Sequence, residues 1–323
     1  MSELLTMEMV KQARERLDGV ARRTMQPLSP AASRRAGCNV YFKLENQQRT
    51  GSFKLRGAYN MISGLSDEEK ARGLIAASAG NHAQGVALAA KEFGAKAVIC
   101  MPEAAPKTKI ERTRAYGPEI VLKGQFVDDA LAEARRLEKE HGYTFVHSCD
   151  DPLVMAGDAT IGCEILDELP DTDMIVVQVG GGGLIAGIAY AAKHIKPDIK
   201  IIGVESSRLP SMKKSLEAGK ILTVDGTQGL ADGIMARAPG DNTFGLVQKY
   251  VDDVVTVDDD EVADAMRLLI EDIKTVPEGA GACTGAALLN GKISLDGVKN
   301  VVALVSGGNV DMSTLADVIE EKI

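Results

Sequence analysis

The sequence is poor in aromatic residues, and it contains no tryptophan. Phenylalanine, tyrosine and tryptophan together account for 4% of its 323 residues. Proteins that bind single-stranded nucleic acids stack the bases on such rings, so this class of protein is disfavoured. The formal net charge of -9 also argues against nucleic acids and anionic membranes, because an excess of acidic groups repels phosphates. We therefore expect a protein that acts on a small molecule, with no nucleic-acid or membrane partner.

Cysteines are also few, and their spacing excludes two further classes. The five are Cys38, Cys100, Cys149, Cys163 and Cys283. No two stand in a C-x-x-C spacing and the number is odd, which excludes a zinc cluster and a disulfide framework. A reduced, cytoplasmic protein is predicted. The longest apolar run, about 180–192, is too short to span a membrane, and residues 1–20 lack the apolar core of a signal peptide.

The chain is instead rich in short β-branched runs that alternate with helical patterns. Strands are predicted at 40–44, 74–77, 97–101, 119–122, 144–147, 174–179, 200–205, 251–257 and 301–305. Helices are predicted at 82–93, 128–140, 259–273 and 313–323, and a capping box at 66–69 opens another. This alternation predicts an α/β fold with mainly parallel sheets flanked by helices.

The first candidate for chemistry is Lys54, which lies between an aromatic and an aliphatic residue in Ser52-Phe53-Lys54-Leu55. A buried lysine loses hydration, so its neutral amine becomes accessible and nucleophilic, as Schiff-base chemistry requires. A lysine whose stem packs while its ammonium group reaches water would have the same local sequence. The motif alone leaves both interpretations open.

The second candidate is the turn Ser78-Ala79-Gly80-Asn81-His82, between the predicted strand 74–77 and a helix. Its small residues leave backbone amides free to bind an anion at the helix N-terminus, and a substrate carboxylate would fit. An ordinary helix cap by serine or asparagine is the alternative.

The third candidate is the run of four glycines from Gly180 to Gly183, between the predicted strand 174–179 and a helix. Four glycines lower the stability of the folded backbone, and a tight turn needs only one or two. A cradle of amides for a phosphate group explains the run better than close packing of helix on strand. A Walker loop is excluded, because no Lys-Ser or Lys-Thr pair follows.

The same glycines permit a rival interpretation. Gly181, Gly183 and Gly187 loosely imitate a dinucleotide fingerprint, and Glu205 ends the next predicted strand, where a ribose-binding acid belongs. The spacing is one residue longer than the standard fingerprint. A nicotinamide-dependent dehydrogenase is therefore the remote alternative.

The fourth candidate is Ser306-Gly307-Gly308-Asn309, directly after the predicted strand 301–305. Ligands of parallel α/β sheets bind at the carboxyl ends of strands, and a serine there can hydrogen-bond a ring nitrogen. A simple glycine-rich turn is the alternative for this motif alone.

Taken together, and in this order, the four stretches resemble those of fold-type II pyridoxal-phosphate enzymes, in particular threonine/serine dehydratases of the short catabolic type. The resemblance covers nearly the whole chain from about Leu17, and its most specific part is 45–58, around Lys54. It implies a two-lobed fold like that of the tryptophan synthase β chain. Residues 1–52 and 150–323 would form a large cofactor-binding domain, and 53–149 a small inserted domain. It also implies the cofactor pyridoxal 5'-phosphate and a homodimer or higher homo-oligomer.

The resemblance assigns roles to individual residues. Lys54 would be the Schiff-base lysine and general base, Phe53 would pack on the cofactor ring, and Ser306 would face its nitrogen. The substrate carboxylate would be held by Ser78, Ala79, Gly80, Asn81 and His82, with Asn81 also at the ring hydroxyl. The remaining cofactor-binding residues would be Gly180, Gly181, Gly182, Gly183, Leu184, Gly233 and Glu278.

The implied reaction is the dehydration and deamination of L-threonine or L-serine to 2-oxobutyrate or pyruvate and ammonia. A neutral Ser306 leaves the ring a weaker electron sink, which suits elimination. Serine racemase and hydroxyaspartate or phenylserine dehydratase are alternatives with the same fold. Racemases carry a serine where this chain has Ala79, so racemisation is disfavoured. Some relatives bind a cation through the position of Glu205 and an aspartate six residues on. Ser211 stands at that second position here, so Glu205 alone is left as a candidate metal ligand, and it could equally just end a strand.

Overall fold

The computed structural model describes residues 4–105 and 107–323, and within them the strands form two separate sheets. The strands are β1 Asn39–Leu44, β2 Leu74–Ala77, β3 Ala97–Met101, β4 Glu119–Leu122, β5 Thr144–Phe145, β6 Met174–Gln178, β7 Lys200–Ser206, β8 Asp253–Val257 and β9 Asn300–Val305. The first sheet has the order β1-β9-β6-β7-β8 and the second β4-β3-β2-β5. All neighbouring strands are parallel, which confirms the predicted α/β fold class.

Helices connect these strands and cover the sheets. They are α1 Met7–Leu17, α2 Pro30–Ala36, α3 Lys54–Gly64, α4 Asp67–Arg72, α5 Asn81–Glu92, α6 Lys107–Arg114, α7 Val127–His141, α8 Pro152–Glu168, α9 Gly183–Ile195, α10 Ser211–Ala218, α11 Asp241–Tyr250, α12 Asp259–Leu268, α13 Gly279–Leu289 and α14 Met312–Ile319. Among the described residues, none of these helices combines the length and the apolar character needed to cross a bilayer.

The first sheet is buried on both faces, which explains the continuous apolar runs of its central strands. Successive side chains of a strand point to opposite faces. Accordingly Ile175 and Val177 of β6 pack into one apolar cluster, and Met174 and Val176 pack into another on the opposite side. The two clusters hold the sheet rigidly between helices, so the loops at its carboxyl edge have fixed positions.

Glycines allow α8 to approach its neighbouring helices closely. A side-chain carbon added at Gly157 would lie 2.5 Å from the carbonyl oxygen of Arg56 on α3. One added at Gly187 on α9 would lie 2.3 Å from the carbonyl oxygen of Met155 on α8. Both distances are far below van der Waals contact, so α3, α8 and α9 pack almost backbone to backbone. This packing joins the helix that carries Lys54 to the helix that follows the glycine run.

The structure confirms the capping box at Ser66 and Glu69, but it corrects the bounds of four predicted elements. The strand predicted at 144–147 ends at Phe145. Two residues later, His147 Nδ1 accepts hydrogen bonds from the backbone amides of Cys149 and Asp150, which holds the chain in a turn. The strand predicted at 251–257 begins only at Asp253. The helix predicted at 259–273 changes to π-helix over Leu269–Ile273, and the last helix ends at Ile319.

Candidate active site

The candidate site lies where the carboxyl edges of the two sheets meet. Strands β6 and β9 are neighbours in the first sheet, so the glycine run that follows one lies beside Ser306 at the end of the other. Asn81, which follows β2 of the second sheet, makes contacts across this gap. Its Nδ2 donates to Glu278 Oε1 at 2.6 Å, and its Oδ1 accepts from Asn309 Nδ2 at 2.7 Å. Residues that are 197 and 228 positions apart in sequence thereby form one site.

Lys54 begins α3 and directs its amine into this site. The Nζ atom donates to the carbonyl oxygen of Ser148 at 2.6 Å and lies 4.9 Å from the centre of the Phe53 ring. The backbone amide of Phe53 donates to the carbonyl oxygen of Ser306 at 3.0 Å, which fixes the start of α3 against the end of β9. The lysine is half-buried. Its amine can therefore be reached by a small molecule that enters the cleft.

The glycine run cannot carry side chains at its critical positions. Gly182 has a φ of 96°, a region that L-residues rarely adopt, and an added carbon there would lie 2.7 Å from Met212 Cε. Added carbons at Gly181 and Gly183 would lie 2.6 Å from Cys149 Sγ and from its carbonyl oxygen respectively. The run therefore leads closely past Cys149 into the N-terminus of α9, where backbone amides and the helix dipole favour an anion.

We predict that Gly182→Ala weakens the binding of the pyridoxal phosphate that the sequence resemblance implies by roughly tenfold or more, because the strained φ costs about 1–3 kcal/mol and the methyl group clashes with Met212. Titration of the apoprotein with the cofactor, followed by absorbance, measures the dissociation constant. Gly245→Ala is the matched control, since nothing lies within 4 Å of a carbon added there. Equal dissociation constants for the wild type and Gly182→Ala would contradict the prediction.

A second helix N-terminus, that of α5, faces open space. Helix α5 begins at Asn81, and a carbon added at Gly80 would meet nothing within 4 Å. Ser78 Oγ accepts from the amide of Gly80 at 3.1 Å, and residues 78–81, including Ala79, are all partly exposed. The amides of Ser78 and Gly80 already have partners, so the amides at the start of α5 are the ones that offer a place for a carboxylate.

The imidazole of His82 does not point to this open space. It is buried, and its Nε2 lies 2.9 Å from the carbonyl oxygen of Val146, so it donates a hydrogen bond there. Burial and the charge of Lys54 lower the pKa of His82 to about 3, so the ring is neutral. Of the residues predicted at the substrate carboxylate, His82 can therefore contribute its backbone but not its ring.

Glu278 closes the site behind Asn81. A carbon added at Gly307 would lie 2.3 Å from Glu278 Oε1, and one added at Gly233 would lie 3.7 Å from the same atom. Burial, and secondly the negative charge of Asp232, raise the pKa of Glu278 to about 7. Its Oε1 atom accepts a hydrogen bond from the side-chain amide of Asn81.

Two of the predicted residues, Leu184 and Glu205, contact the protein interior and not the cleft. Leu184 is buried in the apolar cluster on one side of the first sheet. The two carboxylate oxygens of Glu205 accept hydrogen bonds from the backbone amides of Met212 and Lys213, each at 2.8 Å. Burial raises the pKa of Glu205 to about 7. In the described ranges, no three His, Cys, Asp or Glu side chains are grouped as they would be around a metal ion.

The sequence interpretation assigned no role to several residues that lie at the site. The carbonyl oxygen of Ser148 accepts a hydrogen bond from the Lys54 amine, and Cys149 lies against the glycine run. The side-chain amide of Asn309 donates both to Asn81 and, at 2.8 Å, to the carbonyl oxygen of Thr50. One signal was available for Ser148 and Cys149, because they follow the predicted strand 144–147 at the carboxyl edge of the same sheet as Ser78. Asp158 is buried against the same helix as Lys54, and its position on α8 gave no signal in the sequence.

These features fit pyridoxal phosphate. A reachable lysine amine, a glycine-lined helix N-terminus that excludes side chains, and Ser306 at the neighbouring strand end would accept its aldehyde, phosphate and ring nitrogen. Residues 21–307 match the family model described as pyridoxal-phosphate dependent enzyme, and the chain belongs to this family. It has the fold-type II architecture and takes pyridoxal phosphate as its cofactor.

Within this family, the chain is similar to enzymes of hydroxy amino acids. It is 48% identical to an L-threonine ammonia-lyase of Thermotoga maritima over 98% of this chain and 79% of that one. A threonine deaminase of Solanum lycopersicum has a TM-score of 0.91 at 39% identity, covering 97% of this chain and 92% of that chain. Maize serine racemase has a TM-score of 0.94 at 35% identity, covering 99% and 98% respectively.

The dinucleotide interpretation is wrong. The match to the pyridoxal-phosphate family covers the glycine run, and the structure gives other reasons for the residues that imitated the fingerprint. Gly187 permits the close approach of α9 to α8, and Glu205 binds the backbone at the start of α10. The apparent fingerprint therefore combines an anion loop, a packing glycine and a helix-capping acid.

Proposed function

We propose that the protein is a threonine/serine dehydratase, which converts L-threonine to 2-oxobutyrate and ammonia, and L-serine to pyruvate and ammonia. The observation that carries the proposal is that the Lys54 amine binds the carbonyl oxygen of Ser148, directly before Cys149, which borders the glycine run. The similarity to an L-threonine ammonia-lyase over 98% of the chain supports the same substrate class. The enzyme would be an ammonia-lyase.

When bound, pyridoxal phosphate supplies an electron-withdrawing ring and a carbonyl group that acidify the Cα–H bond of an amino acid. The amides of Gly180, Gly181, Gly182 and Gly183 would hold its phosphate, Phe53 would pack on its ring, and Asn81 would bind its ring hydroxyl. Lys54 would hold its carbonyl carbon at rest.

The protein's own groups then have distinct tasks. The turn that contains Asn81 would bind the substrate carboxylate through the backbone amides at the start of α5, and it would orient the Cα–H bond towards the cleft. The Lys54 amine would take the proton from Cα, because it is the basic group that the structure directs into the site. Ser306 has a neutral hydroxyl, so it would not hold a proton on the ring nitrogen as an acid would. This favours loss of the β-hydroxyl over reactions that need a long-lived carbanion.

Serine racemisation is the second candidate, since the TM-score with maize serine racemase is 0.94. A racemase needs a proton donor on each face of the substrate. The resemblance places the second proton donor of a racemase at the position of Ala79, and the methyl group of Ala79 has no proton to give. The same architecture with this residue therefore favours elimination over racemisation.

We further propose that residues 1–52 and 150–323 form a cofactor-binding domain and that 53–149 form a small inserted domain. The two sheets support this division, because each draws its strands from one of the two proposed domains. Strands β1 and β6 to β9 form the first sheet, and β2 to β5 form the second. The protein would act in the cytoplasm as a homodimer. The free state of all five cysteines fits a reducing compartment, and light scattering of the purified protein measures the oligomer.

We predict that the purified protein, loaded with pyridoxal phosphate, releases 2-oxobutyrate from L-threonine and pyruvate from L-serine in equal amounts with ammonia. Coupled assays for the oxo acid and for ammonia measure this, and D-threonine serves as the control. Chiral chromatography of the remaining serine detects racemisation. D-serine without oxo acid would favour the racemase, and a cofactor-loaded protein inert to both substrates would refute the proposed substrate class.

A further inference from the structure

The glycine run is anchored at one of its carbonyl groups by a residue of α11. Thr243 is fully buried, and its Oγ1 atom donates a hydrogen bond of 2.6 Å to the carbonyl oxygen of Gly181. The carbonyl oxygen of Gly240 lies further from the same hydroxyl, at 3.1 Å. The backbone amide of Gly240 also donates to the Gly181 oxygen, at 3.2 Å. Two donors at the start of α11 thus fix the direction of one carbonyl group in the run.

This anchor determines where the next backbone amide points. The peptide bond between Gly181 and Gly182 is planar and trans, so its carbonyl and its N–H group point in opposite directions. With the carbonyl bound to the start of α11, the amide of Gly182 points away from that helix. In the described ranges, no backbone carbonyl accepts this amide. The Gly182 amide is therefore available to an anion bound by the run.

The backbone of the run alone would not keep this peptide in one orientation. A flip of the peptide plane changes ψ of Gly181 and φ of Gly182, and glycine adopts positive and negative φ about equally readily. The observed φ of Gly182 is 96°. A flipped plane would turn the Gly181 carbonyl away from α11 and lose both of its hydrogen bonds. The bond from Thr243 therefore favours the orientation in which the Gly182 amide is presented.

The start of α11 is itself held by an acid from the turn before α8. The N-cap residue of α11 is Gly240, which has no side chain to accept the first amides of the helix. Asp150 supplies the acceptor instead, because its Oδ1 atom accepts from the amides of Asn242 and Thr243 at 2.9 and 3.0 Å. A carbon added at Gly240 would lie 2.5 Å from Asp150 Cγ. Since Asp150 directly follows Cys149, which borders the run, the same turn fixes both the run and the helix that anchors it.

We propose that Thr243, held by Asp150, is a positioning residue that orients the peptide between Gly181 and Gly182 so that the Gly182 amide binds the phosphate group of the cofactor. This deepens the proposed function, since it rests on the glycine run as the place of the phosphate. Thr243 acts through the backbone of the run and not by contact with the reacting atoms. It therefore affects how tightly the phosphate is held and leaves the binding of the aldehyde and the ring unchanged.

Titration of the apoprotein with two ligands, pyridoxal phosphate and pyridoxal, tests the proposal without any catalysis. Pyridoxal keeps the aldehyde and the ring but lacks the phosphate. Thr243→Val keeps the shape of the side chain and removes its hydroxyl group. We expect this variant to raise the dissociation constant of pyridoxal phosphate by about fivefold to tenfold, because only molecules with the Gly182 amide presented bind the phosphate well. The dissociation constant of pyridoxal, followed by absorbance in the same way, should not change.

Thr243→Ser is the matched control, since it keeps the hydroxyl group, and it should restore the wild-type dissociation constant of pyridoxal phosphate. An equal loss of affinity for both ligands in Thr243→Val would indicate a general structural role and overturn the proposal. Gly182→Ala tests the premise separately. If it weakens the binding of pyridoxal phosphate and Thr243→Val does not, the phosphate lies at the run and the role of Thr243 is refuted. If neither variant changes the binding, the placement of the phosphate is wrong as well.

A second pair of variants covers the case in which Thr243→Val does not fold. Asp150 is half-buried, so changes there disturb the interior less. Asp150→Ala removes the acceptor of the first amides of α11, while Asp150→Asn keeps an oxygen atom in its place. We expect Asp150→Ala to raise the dissociation constant of pyridoxal phosphate by about threefold, with that of pyridoxal unchanged, and Asp150→Asn to resemble the wild type. Equal dissociation constants of pyridoxal phosphate for Asp150→Ala and the wild type would refute the proposal.

Discussion

Lys54→Ala is expected to lower kcat/KM for L-threonine by at least about 10³-fold, because it removes both the group that holds the cofactor and the base that takes the α-proton. The amine is held at 2.6 Å from the carbonyl oxygen of Ser148, and we expect no other side chain of the site to reach its position. The assay is the initial rate of 2-oxobutyrate release, with the cofactor in excess.

A second readout separates the loss of the amine from a loss of the fold. The wild type should show a band of bound cofactor in the near-visible range, which Lys54→Ala should lose, while the melting temperature of the apoprotein stays close to that of the wild type. Lys91→Ala, an exposed lysine on α5, is the matched control and should keep both the band and the activity. A Lys54→Ala protein that keeps the wild-type rate would exclude Lys54 from the mechanism.

The sequence could predict the first sheet well because burial on both faces leaves a simple pattern. Strands such as β6 and β9 are continuous apolar runs, and the glycine run and Ser306 follow them directly. Short strands with few paired residues are harder to recognise in the sequence. β5 pairs with β2 through only two residues, Thr144 and Phe145, so its predicted end was wrong.

The site residues that the sequence missed are those whose partners lie far along the chain. Asn309 binds Asn81 across 228 positions, and nothing local in either motif reveals the pair. Asp158 could not be distinguished from a surface acid of an ordinary helix. Its burial depends on Gly57 and Gly157, which allow two helices to meet at a distance that periodicity does not encode.

Arg56→Met is expected to reduce the free energy of unfolding by about 3–5 kcal/mol, because it removes the cation from a buried group of acids. Arg56 is 1% exposed, and its guanidinium donates to Glu45 at 2.8 and 2.9 Å and to Glu164 at 2.6 and 2.9 Å. Burial alone would lower its pKa, but the two carboxylates raise it, so the arginine remains charged. The methionine would fill similar space without any charge.

The expected loss of stability is large because Glu45 and Glu164 both lose the arginine that binds them. Glu45 is fully buried and would retain only its hydrogen bond from Thr24 at 2.7 Å, while Glu164 would retain Lys43 at 2.8 Å. An ionised Glu45 without its cation must either remain charged in an apolar interior or take up a proton. The variant therefore buries an acidic group whose cation has been removed, which is the costly case for a buried ion pair.

Urea unfolding at neutral pH measures the effect, and two further variants test its cause. Arg136→Met removes an arginine that pairs with Glu133 and Glu140 on the exposed face of α7, and it should cost less than about 1 kcal/mol. Arg56→Met combined with Glu45→Gln should recover part of the loss, because the double variant no longer buries the unpaired charge. If the double variant loses as much free energy of unfolding as Arg56→Met and Glu45→Gln lose together, the loss comes from packing and not from the unpaired charge. Since Arg56 follows Lys54 by two residues on α3, the same ion pairs also hold the helix that presents the amine to the site.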